Sequence, residues 1–240
     1  MLKVENTETS GWEPAVRGMR NPKNSWNKSD SDWDFVEDPA LINPNDSLQF
    51  VMGGNDSKLA TALCKAGTDH RKFLRMIVVY ADITAPLYWW KEFDTYKVGT
   101  VANSCSTMHK IHARDLTLDD FSHEHLFDGV DVVENPGNDM EHYENPTTCV
   151  EYVISVINHY RRKYLETKDK RYWWQLIQLL PSSYNQRRTV MLNYEVLANI
   201  YHARKNHKLD EWHLFCAWAE NLPYSQLFTG ECDSCGGKTL

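Results

Sequence analysis

The stretch LRMIVVYADITAPLYWWKEFDTYKVGTVANSCSTM, from Leu74 to Met108, decides the fold of this chain. Its first part, residues 74–83, is dominated by β-branched and aromatic residues and predicts a strand covered on both faces. Pro86 then opens a helical segment whose aromatic residues form a broad apolar face. The small, hydroxyl-rich run 99–107 predicts a loop that lets a ligand approach the backbone closely. The alternative interpretation is a piece of core in which the tryptophans only pack.

Composition limits the class of protein. The chain has 240 residues, of which 42% are apolar, with nine tryptophans and twelve tyrosines, as expected for a globular, aromatic-rich protein. The net charge of -7 gives no general attraction for nucleic acid or for an anionic membrane. No apolar run approaches the ~20 residues that span a bilayer, and the first residues lack a signal-peptide pattern. We therefore expect a cytoplasmic protein with one domain over residues 1–228 and a flexible tail over 229–240.

The first 46 residues are polar and predict an N-terminal arm. Within it, basic residues concentrate in a short run of an otherwise acidic protein. This run predicts either an anion-binding arm that reaches a phosphate or a solvated loop. The basic residues are Arg17, Arg20, Lys23 and Lys28.

Residues 109–145 predict a loop-rich insertion that carries half of the ten histidines. These are His109, His112, His123, His125 and His142. The spacing matches no standard zinc signature, so we expect surface histidines and no metal, with a metal site as the alternative. The six cysteines are scattered, which favours free thiols, and the Cys232–Cys235 pair lies in the predicted tail.

The second half of the chain predicts helices, which we place at residues 147–166, 170–180, 188–206 and 210–221. In the third helix, a repeat of about 100° per residue puts Asn193, Leu197, Ile200 and Arg204 on one stripe. The two polar ends would stand ~16 Å apart, a span suited to an extended ligand. The alternative is an amide that satisfies local backbone and an arginine that reaches out from the helix end.

Residues 73–108 and 180–228 together resemble the flavin-dependent thymidylate synthases. The first block has the same order of strand, proline-led aromatic helix and motif loop. The second block matches in Leu180-Pro181, an asparagine-bearing helix that ends at Arg204, Glu211-Trp212 and Pro223-Tyr224. The resemblance implies an α+β fold, with an antiparallel-rich sheet wrapped by long helices, assembled as a homotetramer whose active sites are shared between subunits.

The resemblance also implies roles for individual residues. Asn193 and Asn199 fall where the family has asparagines that contact the flavin. Arg204 falls where the family has an arginine that binds and activates the nucleotide, and Ser104 matches a serine that binds substrate. His70 lies one position after the place, Asp69, where the family has a histidine.

The motif loop departs from the family pattern. Where the family has Arg-His-Arg-x-x-Ser, this chain has Asp94-Thr95-Tyr96-x-x-Gly99, and Ser106 replaces a phosphate-binding arginine. An aspartate in place of an arginine exchanges a bidentate donor for a charge that repels phosphate. We expect Lys91, Lys97, Arg17 or Arg20 to supply a replacement cation. The expected substrate-binding set is Lys91, Asp94, Tyr96, Ser104, Ser106 and Arg204.

Taken together, these features predict a divergent protein of this fold that binds a nucleotide and FAD. If it is catalytic, the implied chemistry is reductive one-carbon transfer to a pyrimidine nucleotide, with NADPH and methylenetetrahydrofolate as further reactants. The alternative is a non-catalytic oligomeric scaffold whose motif loop forms an aromatic interaction surface around Trp89, Trp90 and Tyr96. A metal hydrolase built on the histidine-rich segment is a third hypothesis.

Overall fold

The computed structural model describes residues 1–35, 48–133 and 142–230. Helices and antiparallel strands are combined, which confirms the predicted α+β class. The strands are β1 (Lys3–Ser10), β2 (Asp32–Phe35), β3 (Leu48–Val51), β4 (Val78–Pro86), β5 (Thr100–Ser104), β6 (Asp131–Val133), β7 (His142–Glu144) and β8 (Asn185–Asn193). The α-helices are α1 (Trp12–Arg20), α2 (Gly54–Lys65), α3 (Leu87–Phe93), α4 (Thr107–Lys110), α5 (Pro146–Thr167), α6 (Lys170–Gln178), α7 (Tyr194–Arg204), α8 (Asp210–Glu220) and α9 (Gln226–Thr229).

The main sheet has four strands in the order β1-β4-β8-β5. Its neighbouring strands are not consecutive in sequence, so the sheet forms only when distant parts of the chain meet. Two further pairs are antiparallel hairpin-like ladders: β2 pairs with β3, with Asp32 opposite Val51, and β6 pairs with β7, with Asp131 opposite Glu144.

The described residues divide into two compact units. The first comprises residues 1–3, 83–95, 103–133 and 142–189, and the second comprises 4–35, 48–82, 96–102 and 190–230. In the first unit, α5 and α6 pack around an apolar cluster that contains Phe121, Ile157 and Leu176, each almost fully buried. In the second unit, the buried face of α7 packs with α8 and α9, and Trp212 and Phe215 of α8 are fully buried.

Strand β4 begins later than the sequence predicts. Residues Lys72–Met76 form a short 3-10 helix, and the strand runs from Val78 to Pro86. Val79 and Ile83 are buried, whereas Tyr80 between them is 42% exposed. The expectation of a strand covered on both faces is therefore wrong, because burial alternates along β4 as it does in a sheet with one buried face.

The expected polar arm at the N-terminus is replaced by regular structure as far as Arg20. Lys3–Ser10 forms β1 of the main sheet, and Trp12–Arg20 forms α1. Trp12 fixes this helix in the second unit, because its ring lies 5.2 Å from the rings of both Tyr194 and Tyr224. The part of the predicted arm from residue 36 onward falls outside the described residues.

Helices α5, α6 and α8 confirm three of the sequence-predicted helices. The Asn145 side chain accepts hydrogen bonds from the backbone N–H groups of Thr147 and Thr148, at 2.9 and 3.3 Å, and Pro146 follows at the first helical position. This cap is local, which is why the sequence reveals it. The predicted helix over 188–206 is wrong in its first part, because β8 extends to Asn193 and α7 begins only at Tyr194.

Candidate functional site

Asn193 marks the change from strand to helix in the second unit. Its backbone is extended, and its side-chain Oδ1 accepts a hydrogen bond of 3.0 Å from the Val196 N–H. Asparagine is a favoured N-cap because its short side chain can satisfy a backbone N–H of the first turn. The predicted stripe that places Asn193 on a helix with Leu197 and Arg204 is therefore wrong at its first member, since Asn193 precedes the helix.

The loop that follows α3 packs against this cap. Gly99 has φ of +81°, and a β-carbon there would lie 2.8 Å from Asn193 Nδ2 and 3.1 Å from a methyl carbon of Val196. Both the left-handed backbone and the close approach require glycine at this position. The predicted loop over residues 99–107 is only partly correct, because Thr100–Ser104 forms β5.

Arg204 lies in the last turn of α7 and is held by two aromatic residues. Its Nε donates a hydrogen bond of 2.9 Å to the Tyr96 hydroxyl. Its guanidinium carbon lies 4.9 Å from the ring centroid of Trp212 and 5.6 Å from that of Tyr96. Trp212 is fully buried and Arg204 is partly buried. A planar cation fixed over aromatic rings in this way has a defined orientation. We call Tyr96, Arg204 and Trp212 the arginine clamp.

The structure thus brings together Asn193, Gly99 and the arginine clamp around α7, all within the second unit. Asn199 lies on the same helix and is exposed. His70 is also exposed and belongs to a separate feature of this unit, a cleft of about 560 Å³. The basic residues Arg17, Lys23 and Lys72 also line this cleft, so two members of the expected basic arm do share a surface.

Arg20, another member of that arm, is buried rather than available to an exposed phosphate. Its Nε donates to Asp56 Oδ1, and the two side chains are 4% and 0% exposed. Burial opposes ionisation of the Asp56 carboxyl, but hydrogen bonds from Ser31, Ser29 and Arg20 together lower its pKa below the usual value of 3.8. Arg20 is therefore part of a buried ion pair.

In the first unit, Asp94 has a cationic partner that the sequence did not identify. Arg188 Nη1 donates to Asp94 Oδ1 at 2.7 Å, and the Arg188 guanidinium carbon lies 4.2 Å from the ring centroid of Trp90. Arg188 Nε also donates to Gln186 Oε1 at 3.0 Å. The negative charge that replaces an arginine of the family motif is thus paired with an arginine from β8.

Three candidate residues of the first unit remain: one caps a helix through a hydrogen bond, and the other two are exposed. Ser106 is the N-cap of α4 and accepts a hydrogen bond of 3.1 Å from the His109 N–H. Ser104 lies on β5 and is exposed, as is Lys91 on α3. The Ser106 hydroxyl still has its own hydrogen to donate, because capping uses only its oxygen as an acceptor.

The aromatic residues of α3 form core rather than surface. Trp89, Trp90 and Phe93 are each at most 1% exposed, and Trp90 Nε1 donates to the Gln186 carbonyl at 2.9 Å. The predicted aromatic interaction surface around Trp89 and Trp90 is therefore wrong. The three rings pack against one another within the first unit, with centroids 4.9 to 5.3 Å apart.

The described ranges also bear on the histidine and cysteine hypotheses. Within residues 1–35, 48–133 and 142–230, no group of three or more His, Cys, Asp and Glu side chains is placed to hold a metal ion. Cys64, Cys105, Cys149 and Cys216 are free thiols. Cys232 and Cys235 lie outside the described residues. Over the same described ranges, no helix combines the length and apolar character needed to cross a membrane.

The sequence does not reveal two contacts of the candidate residues. One is the ion pair of Arg188 with Asp94, and the other is the contact of Trp212 with Arg204. The sequence predicts a helix from residue 188, whereas the structure places Arg188 in β8; residues 185–189 are all polar and give no apolar signal for a strand. In the sequence, Trp212 is distinguished only as part of the Glu211-Trp212 dipeptide. A tryptophan eight residues after a helix-terminal arginine gives no signal of contact until the two helices are folded together.

No protein-family model and no curated protein sequence matches this chain. Solved structures do match its fold. Thymidylate synthase X from Helicobacter pylori, crystallised with FAD and dUMP, superposes with a TM-score of 0.62 at 14% identity over 98% of this chain and 99% of that one. PolB from Streptomyces cacaoi, a UMP/dUMP methylase crystallised with 5-bromo-UMP, superposes with a TM-score of 0.58 at 13% identity over 95% and 94%. At such low identities, the likeness establishes the fold.

Proposed function

We propose that this chain is a divergent protein of the flavin-dependent thymidylate synthase fold that binds a pyrimidine nucleotide and FAD. The observation that carries the proposal is the arginine clamp. The sequence resemblance assigns nucleotide binding to Arg204, and this arginine is held in one orientation by Tyr96 and Trp212. Preorganised donors bind a planar acceptor better than mobile ones, because less side-chain entropy is lost on binding.

Support for the nucleotide comes from the solved proteins with this fold. The Helicobacter pylori enzyme was crystallised with FAD and dUMP, and the Streptomyces cacaoi enzyme with a brominated UMP. The Arg204 guanidinium carries five N–H donors in a planar arrangement that suits carbonyl oxygens. We assign the base of the nucleotide to these donors. By the same sequence resemblance, we propose Ser104 and Ser106 of the first unit as substrate-binding hydroxyls.

Ser106 stands where the family has a phosphate-binding arginine, so the phosphate of the nucleotide needs another cation. Asp94 is paired with Arg188, so it does not present an unbalanced negative charge. The Arg188 side chain is 15% exposed, compared with 47% for Asp94. We infer that this pairing removes the repulsion expected from the sequence, and we assign phosphate attraction to the exposed Lys91.

The residues present fit a flavin in part. Asn199 exposes its amide on α7, and Asn193 uses its Oδ1 in the helix cap, which leaves its Nδ2 as a donor. Both amides would hold the flavin. The sequence also assigns His70 to the flavin, but His70 lines the separate cleft of about 560 Å³. A bound flavin would supply the hydride for reductive transfer of a one-carbon unit, with NADPH as the reductant and methylenetetrahydrofolate as the carbon donor. Arg204 would polarise the pyrimidine by donating to its carbonyl oxygen.

The proposal is tested by substituting Arg204 and measuring ligand binding. Arg204→Ala removes the donors assigned to the nucleotide, and we expect it to abolish the binding of dUMP in the presence of FAD. Lys205→Ala is the matched control, because Lys205 is the next residue and is exposed. Isothermal titration calorimetry on both variants and the parent protein measures the effect. Unchanged dUMP affinity in Arg204→Ala would refute the assignment.

A second function, a non-catalytic oligomeric scaffold, is favoured by the same contacts. Arg204 and Asp94 both find partners inside the chain, Tyr96 and Arg188 respectively, and such pairs are stable without any ligand. The two functions differ in one property that is simple to measure. A scaffold remains colourless when mixed with FAD and desalted, whereas a flavoprotein stays yellow.

For the assembly, we propose the homotetramer that the sequence resemblance implies. Light scattering coupled to size-exclusion chromatography measures the mass directly, and a mass near four times 28.0 kDa is the expected result. A mass near one chain would contradict the proposed assembly and would mean that any ligand site is built from a single copy.

A further inference from the structure

A second cleft in the second unit, of about 300 Å³, shares Arg17 with the His70 cleft and contains no residue of the arginine clamp. Val16 and Arg20 of α1, together with Trp26 and Phe50, line it. A volume of this size lies at the lower end of the range for small-molecule sites. None of the residues assigned to nucleotide or flavin binding takes part in it.

Arg20 lines this cleft and carries a hydrogen-bond donor that has no partner. The residue is 3% exposed, its Nε donates to Asp56, and its Nη1 donates to the Ser25 carbonyl at 3.1 Å. Its Nη2 is buried and has no hydrogen-bond partner among the described residues. A buried polar group without a partner is destabilising, so an acceptor oxygen placed at Nη2 would bind favourably.

Charge balance indicates what kind of acceptor suits the site. Asp56 neutralises Arg20 and is itself fully engaged, because its Oδ2 accepts hydrogen bonds from both the side chain and the backbone N–H of Ser31 and from the Ser29 hydroxyl. Glu13 and Arg17, which also line the cleft, pair with each other at 3.6 Å and add no net charge. A charged carboxylate at Nη2 would therefore add a second negative charge beside Asp56. An uncharged carbonyl oxygen provides the same acceptor without that repulsion.

The walls of the cleft are apolar and partly aromatic. Val16 and Phe50 are buried, and Trp26 is 51% exposed at the edge. Trp26 donates its Nε1 to Asn21 Oδ1 at 2.8 Å, so the tryptophan offers the cleft ring surface rather than a donor. Flat rings pack well against such walls, because aromatic pairs gain from offset stacking and edge contacts.

We propose that this cleft binds a flat, uncharged small molecule that carries a carbonyl oxygen, such as a ring carboxamide or a lactam. The carbonyl oxygen accepts a hydrogen bond from Arg20 Nη2, and the ring packs against Trp26 and Phe50.

The test uses benzamide as the probe, with benzoate as the charged analogue of the same shape. Calorimetric titration of the full chain is expected to show saturable benzamide binding at one site and weaker benzoate binding. Trp26→Ala, at an exposed position, is expected to lower benzamide affinity by about fivefold. Arg20→Lys, which keeps the charge but removes Nη2, is expected to lower it by about tenfold or more.

Arg171→Lys serves as the control, because Arg171 is an exposed arginine of the first unit. Its benzamide affinity is expected to equal that of the parent protein. The proposal is overturned if benzamide shows no saturable binding, if benzoate binds equally well, or if Trp26→Ala leaves the affinity unchanged. The Trp26 variant keeps the test valid even if the Arg20 variant does not fold.

Discussion

The buried ion pair between Arg71 and Glu195 yields a quantitative prediction about the helix that carries Arg204. Glu195 lies in the first turn of α7, and Arg71 directly precedes the 3-10 helix that leads into β4. Arg71 Nε donates to Glu195 Oε2 at 2.9 Å, and Nη2 donates to Oε1 at 3.1 Å. The side chains are 3% and 9% exposed, so the pair is bidentate and shielded from water.

Removing one partner leaves the other as an uncompensated buried charge. Such a change destabilises a protein by about 3–5 kcal/mol. For a chain of this length, each kcal/mol lowers the unfolding temperature by about 2–4 °C, so Glu195→Leu or Arg71→Met should lower it by about 6–20 °C. The double variant Arg71→Met with Glu195→Leu leaves no unpaired charge, and we expect it to be more stable than either single variant.

Differential scanning calorimetry and urea unfolding of the two single variants and the double variant measure these effects. Arg171→Gln is the control, because it breaks an exposed ion pair with Asp169 and should leave the unfolding temperature almost unchanged. The reasoning is refuted if a single variant resembles the Arg171 control, or if the double variant is as unstable as the sum of the two single changes.

Three further predictions concern titration, thiol reactivity and the loop against α7. Burial opposes ionisation of Asp56 while hydrogen bonds led by Ser31 lower its pKa, so its contribution to stability is complete above about pH 4 and is lost as pH falls through the lowered pKa. The stability difference between the parent protein and Asp56→Asn should therefore shrink on acidification, and a constant difference in urea unfolding from pH 6 to 2 would contradict this. Burial raises the pKa of Cys216 to about 11, so iodoacetamide at neutral pH should modify the exposed Cys149 and spare Cys216; equal labelling by peptide mass spectrometry would disprove the burial argument. Gly99→Ala places a side chain in a left-handed backbone and against the cap of α7, so it should cost about 1–3 kcal/mol in unfolding free energy, and an unaltered unfolding temperature would count against the close packing of this loop.

Local signals account for what the sequence predicted well. The cap at Asn145 and the proline after it predict α5, because every interaction involved lies within four residues. These features depend on short-range preferences, which a sequence displays directly. The α+β class, by contrast, was implied by the sequence resemblance and is confirmed by the structure.

Long-range pairing accounts for what the sequence did not reveal. Strand β1 is polar, and it becomes a strand only by pairing in a sheet whose neighbours are distant in sequence. Arg188 is 94 residues from Asp94, so their ion pair has no local signal. The sequence predicts a helix that includes Asn193, because the apolar pattern continues from β8 into α7. In the structure, the capping hydrogen bond of Asn193 marks the start of α7 at the next residue.

The candidate site also combines residues that the sequence identifies with contacts that only the fold creates. Arg204 and Asn193 were selected from a resemblance of sequence, but the partners that orient Arg204 come from two other elements. Tyr96 lies in the loop before β5, and Trp212 lies in α8. The fixed orientation of Arg204 therefore arises only when the second unit is folded.

The measurement that tests the central proposal most directly is the visible absorption spectrum of the purified protein after incubation with FAD and dUMP and removal of free ligand by desalting. The account predicts flavin bands near ~450 nm that persist through desalting in the parent protein and in Lys205→Ala. It also predicts that dUMP no longer perturbs these bands in Arg204→Ala. A parent protein that stays colourless after this treatment would contradict flavin binding and would favour the scaffold function.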